Sequence, residues 1–170
     1  MRFLLLAILS AAGPASAQTA YAPDEAQTRE LDRRFDLYRR PGGVFLTLET
    51  KPVERDGVAY SALAYQSGRP LQGCDPQTDP HCFDIDTWQL ISEQPGDRPD
   101  VIRQVRWTFY RHRANRTEEI RSGGRILQTI EYARERDIAD SDVVEASAFA
   151  IALLLNPANG YEQSPFIFNH

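Results

Sequence analysis

Lysine is nearly missing from this 170-residue chain: of 19 basic residues other than histidine, all but Lys51 are arginine. Methionine occurs once, cysteine twice and histidine three times. So few histidines make a multi-histidine metal centre or a Ser-His-Asp constellation hard to assemble, and two cysteines rule out a four-thiolate zinc site. No Gly-x-Ser-x-Gly elbow, His-Glu-x-x-His pair or glycine-rich phosphate loop occurs, and the EF-hand pattern is missing. No cofactor and no metal are expected. An excess of positive charge is lacking too: the formal net charge is −5, one unit more negative without Arg2, which disfavours nucleic acid and anionic membranes as general partners. Nor is there an apolar run of the about 20 residues that a membrane-crossing helix needs. The most apolar internal stretch, Ala146 to Leu155, contains Ser147 and has the length of a buried helix.

What the chain does contain begins with its leader. Arg2, an apolar run from Phe3 to Leu9 and the small-x-small end Ala15-Ser16-Ala17 have the form of a secretory signal peptide over residues 1–17, cut before Gln18. No cysteine follows the cut for acylation, so a periplasmic or secreted location is expected, without membrane insertion after cleavage. With 42% hydrophobic and 25% charged residues, 18–170 should fold as a single domain.

Export gives the two cysteines a meaning. Cys74 and Cys82 bracket CDPQTDPHC, and an isolated pair in an oxidising compartment is expected to be a disulfide, stabilising by about 2.5 kcal/mol in the chain-entropy account. Pro76 and Pro80 stiffen the segment, which reads as a rigid exposed knob. Cys74, His81 and Cys82 are potential zinc ligands, and Asp75, Asp79, Asp84 and Asp86 potential calcium ligands. Their spacing fits neither metal.

The hydropathy pattern predicts an amphipathic helix over Asp24–Arg40, with Leu31, Phe35 and Tyr38 forming its stripe and Pro41-Gly42-Gly43 its end. Two strands, Val44–Thr50 and Val58–Gln66, are read around a link longer than two residues that contains Asp56-Gly57. Strands are also expected at Thr87–Ser92 and Val101–Arg113, with a loop from Glu93 to Asp100. Thr117–Ser122 and Arg125–Tyr132 form a hairpin about Gly123-Gly124, the second arm being readable as helix as well. Asp142 with Glu145 resembles a capping box opening a last helix to Leu155, apolar nearly all round and so buried on several sides. Together these give an α+β fold: an N-terminal amphipathic helix, an antiparallel sheet of about five to six strands, and a C-terminal apolar helix packed on the sheet.

The densest chemistry lies between Arg103 and Arg121. Val101, Val105, Trp107 and Phe109 share one face with Arg103, and Arg106, Tyr110 and His112 stand in a row on the other. Arginine forks with a tyrosine suit a carboxylate, phosphate or acidic sugar. The competing reading is a solvated face whose arginines pair with Glu118, Glu119 and Glu131. The function expected is that of an exported, non-enzymatic binding protein whose partner is an anionic envelope component or another exported protein. Two alternatives stand beside it. One is an extracytoplasmic hydrolase using paired carboxylates, with Glu118, Glu119, Asp137, Asp140 and Asp142 available; the other is an inhibitor or immunity protein that uses the Cys74–Cys82 knob as its plug.

Overall fold

Alternation of apolar and polar residues from Val58 to Tyr132 builds a meander of long antiparallel strands, each paired with the next. The computed structural model describes residues 21–36, 46–111, 113–132 and 139–162. The expected leader, Tyr38 and His112 lie outside them. In chain order the elements are α1 (Glu25–Asp36), β1 (Leu46–Thr50), β2 (Val53–Arg55), β3 (Val58–Pro70), β4 (Phe83–Pro95), β5 (Val101–Tyr110), β6 (Arg113–Ser122), β7 (Arg125–Tyr132), α2 (Asp140–Leu155), a 3-10 turn at Pro157–Asn159, and β8 (Tyr161–Glu162). The strands form one sheet in the order β7-β6-β5-β4-β3-β1-β8, with β2 beside β3.

The expected α+β architecture with five to six strands is therefore corrected. The protein is mostly β, with, among the described residues, eight antiparallel strands and two α-helices. The two added strands escaped notice because they are short. β2 has three residues and sits in what reads as a hairpin link, and β8 has two. The link itself is tighter than expected: Arg55 pairs with Val58, leaving Asp56 and Gly57, both at positive φ (53° and 75°), as a two-residue type I′ turn. Gly123 and Gly124 turn the β6–β7 hairpin in the same way, at φ 53° and 80°, and the second arm is strand. β4 runs on through Glu93-Gln94-Pro95, which reads as loop, because each of these residues pairs with β5.

Both helices pack on one face of the sheet, α2 mainly on β3, β4 and β1, and α1 on β4 and α2. That face presents Leu48, Ala62, Ala64, Ile85, Trp88, Leu90, Phe109 and Ala114, all buried. The small residues Ala62 and Ala64 let α2 approach, and Trp88, stacked on Phe109 at 5.8 Å, fills the space beside them. Leu31 and Phe35 bury the stripe of α1, and the i,i+4 pairs Glu25–Arg29 and Glu30–Arg34 form on its wet side. Ser147, the polar residue in the most apolar stretch, is fully buried. Its hydroxyl accepts from Trp88 Nε1 (2.7 Å) and donates to the Tyr21 carbonyl (2.6 Å), joining α2, β4 and the segment before α1.

Two details of α2 differ from expectation. The helix begins three residues earlier than that box would place it, with Ala139 at the N-cap and no side-chain cap bond, so Asp142 and Glu145 form no capping box. Asp140 and Asp142 face the positive end of the helix dipole instead. Nor is α2 buried all round: Val143, Ser147, Ala150, Ile151, Leu153 and Leu154 are buried, while Val144, Ala148 and Ala152 are exposed. The sheet also has unlike borders. β7 is eight residues long, with Ile126 and Leu127 about half exposed (53% and 54%), whereas β8 spans two residues.

Candidate functional site

The strand register decides where each arginine of the 103–121 segment can reach. On the face away from the helices, Tyr65, Thr87, Tyr110 and Arg113 stand in one row across β3 to β6. Leu63, Gln89, Thr108 and Asn115 form the next, and Ser61, Ile91, Arg106 and Thr117 the one after. Arg106 and Tyr110 thus share the outer face as expected, about 13 Å apart along β5. His112 does not join them as a described residue, because the strand meant to carry it ends at Tyr110. β6 resumes at Arg113, so the chain reverses without a glycine, asparagine or aspartate to announce it.

Four arginines of the segment are neutralised in the structure. Arg103 makes a bidentate pair with Glu118, Arg116 lies 3.7 Å from the same carboxylate, Arg121 pairs with Glu119 and Arg111 with Asp84. Arg106 and Arg113 do not follow this pattern: neither has a carboxylate partner among the described residues. The Arg106 Nε is buried with no hydrogen-bond partner, and one terminal nitrogen donates to Gln104 Oε1 at 3.3 Å. Arg113 lies over the Tyr110 ring at 4.3 Å. Beside them, burial pushes the Tyr65 phenol above its ordinary pKa, while the Arg106 charge pulls it partway back. Arg106 and Arg113, the guanidinium groups of the segment without a carboxylate partner among the described residues, thus stand on the middle of the outer face beside Tyr65, Tyr110 and Thr87.

The opposite face is different beyond α2. There Glu118, 5% exposed, receives Arg103 and the Tyr132 hydroxyl (3.2 Å), and Arg116 stacks on Tyr132 at 4.3 Å and on Trp107 at 5.6 Å. Arg103 first, and then Tyr132 and Arg116, hold the Glu118 carboxyl below its ordinary pKa against the effect of burial. This network pairs its charges internally and reads as structure. Next to it, between β2–β5 and the start of α2, opens a cleft of about 450 Å³. Tyr60, Leu90, Trp107 and Phe149 form its apolar surface, and Arg55, Asp142 and Glu145 bring charge to it. Sequence reasoning missed the cleft, since its lining comes from five elements.

The Cys74–Cys82 segment is exposed from Asp75 to Thr78 and at Pro80, and it is tethered to α1. Asp75 and Asp79 organise it, accepting from the backbone N–H groups of Gln77 and His81 at 2.9 Å, and Arg29 of α1 reaches Asp79 at 3.3 Å. In this structure both cysteines are free thiols. Cys82 is fully buried, and burial, with the neighbouring Cys74 thiol hydrogen-bonded to it, pushes its pKa up to about 12. Among the described residues no three His, Cys, Asp or Glu side chains converge as a metal site, and no helix is long and apolar enough to cross a membrane.

No family model, no curated protein and no solved structure matches the chain.

Proposed function

We propose that the chain is an exported, non-enzymatic binding protein, periplasmic or secreted, that docks through its outer face onto an anionic component of the cell envelope. The observation that carries this reading is the uncommitted state of Arg106 and Arg113, in a segment where four other arginines are paired with carboxylates. A guanidinium group with no carboxylate partner keeps charge-assisted donors to offer, and an incoming carboxylate or phosphate would take them up. The overall negative charge makes the attraction local, confined to the patch that Tyr65 and Tyr110 border. A hydrolase is less well supported. Asp142 and Glu145 line the cleft from one turn of α2, whereas a glycoside-cleaving pair must flank the bond from two sides.

Retention of the purified mature protein on an immobilised acidic polysaccharide, and on washed envelopes, tests the proposal. Arg106→Ala with Arg113→Ala should weaken retention by about tenfold or more, on the scale of lost charge-assisted bonds. Arg111→Ala with Arg121→Ala, which removes the same two charges from paired sites, should change it little. Equal losses in both variants would reduce the effect to net charge and sink the outer-face assignment. Retention on envelopes that survives digestion of polysaccharide but not of protein would point to an exported protein as the partner instead. Export also bears on the thiols. Cys74 and Cys82 are neighbours that an external disulfide can oxidise by exchange, so the natural protein should be two hydrogens lighter than its reduced form by intact mass. The same measurement should show the chain starting at Gln18.

A further inference from the structure

We infer that the cleft beside α2 binds a short zwitterionic ligand with apolar side chains, of the size of a dipeptide or tripeptide. The volume, about 450 Å³, lies within the range of small-ligand sites. Its floor is already aromatic: Tyr60 meets Phe149 edge-on at 5.1 Å, and Trp107, half-buried, stacks on Phe109 at 6.2 Å. Rings held by one another keep their faces in place, so an entering apolar side chain meets a preformed surface with little ordering cost. The charges are what narrow the ligand class. Arg55 comes from the sheet wall, with its guanidinium over the Phe149 ring at 5.2 Å, and Asp142 and Glu145 come from the helix wall. Positive and negative groups thus line the same cleft, yet no ion pair joins them among the described residues. Asp142 has only the Ser141 hydroxyl at 3.4 Å, and Glu145 and Arg55 have no oppositely charged partner. A purely apolar ligand would leave both signs unanswered, and a singly charged one would leave one of them. A free peptide answers both, its carboxylate on Arg55 and its ammonium on Asp142 and Glu145, with its side chains on Trp107, Phe149 and Leu90.

The inference concerns a second face and stands whether or not the outer face holds an anion. Isothermal titration with L-phenylalanyl-L-leucine tests it, alongside the same dipeptide acetylated at its amine and amidated at its carboxyl. The free dipeptide should bind, and each capped form should bind about two- to fivefold more weakly, the scale of exposed charge pairs. Arg55→Ala should erase the preference for a free carboxyl while keeping that for a free amine, and Glu145→Gln with Asp142→Asn should do the reverse. All three side chains are exposed, so these variants should keep the parent's circular dichroism. Phe149→Ala should lower affinity by about tenfold through lost apolar contact. Capped forms that bind as tightly as the free dipeptide would overturn the zwitterion assignment, and no heat from any of the three would overturn the site.

Discussion

The face of the sheet that carries the helices has two regions in opposite circumstances, a near one on β1 to β4 that reaches Phe109 and Ala114, and a far one on the rest of β5 to β7. Near the helices that face is apolar and dry: Leu48, Ala62, Ala64 and Trp88 are at most 1% exposed. Beyond α2 no described helix packs to any extent on β6 or β7, and the equivalent positions carry Arg103, Arg116, Glu118 and Tyr132. A sheet wider than its helices must finish its uncovered face somehow. Here it does so with an ion-pair network laid over aromatic rings, which covers Trp107 without a helix.

The sharpest way to break this contrast is in the near region. Trp88→Ala should destabilise by about 3–5 kcal/mol, through lost packing and the loss of one of the two hydrogen bonds of the Ser147 hydroxyl, read as a shift in urea midpoint. In the far region, Glu118→Gln strands Arg103 and Arg116. Its cost should be about 1–2 kcal/mol, below that of a fully buried pair because the Arg103 side chain is 43% exposed to water. Acid should separate the regions further. The Glu118 carboxyl titrates lower folded than unfolded, so its stabilisation is complete above the ordinary glutamate range and is lost as pH falls through the depressed folded value. Wild type should therefore lose more stability than Glu118→Gln between pH 7 and pH 3, and parallel losses would contradict the network's role. The smallest effect belongs to the outer face. Arg106→Ala should move the urea midpoint by less than about 0.5 kcal/mol equivalent, since no carboxylate loses a partner.

How far these regions could be foreseen depends on turn chemistry and on sequence separation. Asp56-Gly57 and Gly123-Gly124 declare their reversals because type I′ turns need positive φ, and both hairpins are legible. Arg111-His112 declares nothing, so the first of the two strands it joins reads as running on to Arg113 and the second as starting only at Thr117. α1 and α2 are visible from their spacing. The true start of α2 is hidden because Ala139 caps it without a side-chain bond. The register that gives Glu118 two arginines and leaves Arg106 with none is set by pairing across three strands, and no local pattern encodes it. Arg106 and Tyr110 could thus be named in advance, but the reason to single out Arg106 could not. Arg113 entered only as part of a dense basic stretch. The cleft was out of reach for the same cause: Arg55 and Phe149 are separated by most of the chain and meet only in the fold.

The unequal borders of the sheet limit how copies of the protein could add to one another. Edge pairing needs a row of backbone groups on each partner, and among the described residues β7 is the longest border strand. Two molecules could join β7 to β7 about a twofold axis, and the pair's remaining borders would then carry the short strands β1, β2 and β8. Such contact closes on itself, so crowding at this edge would yield dimers rather than ribbons without end.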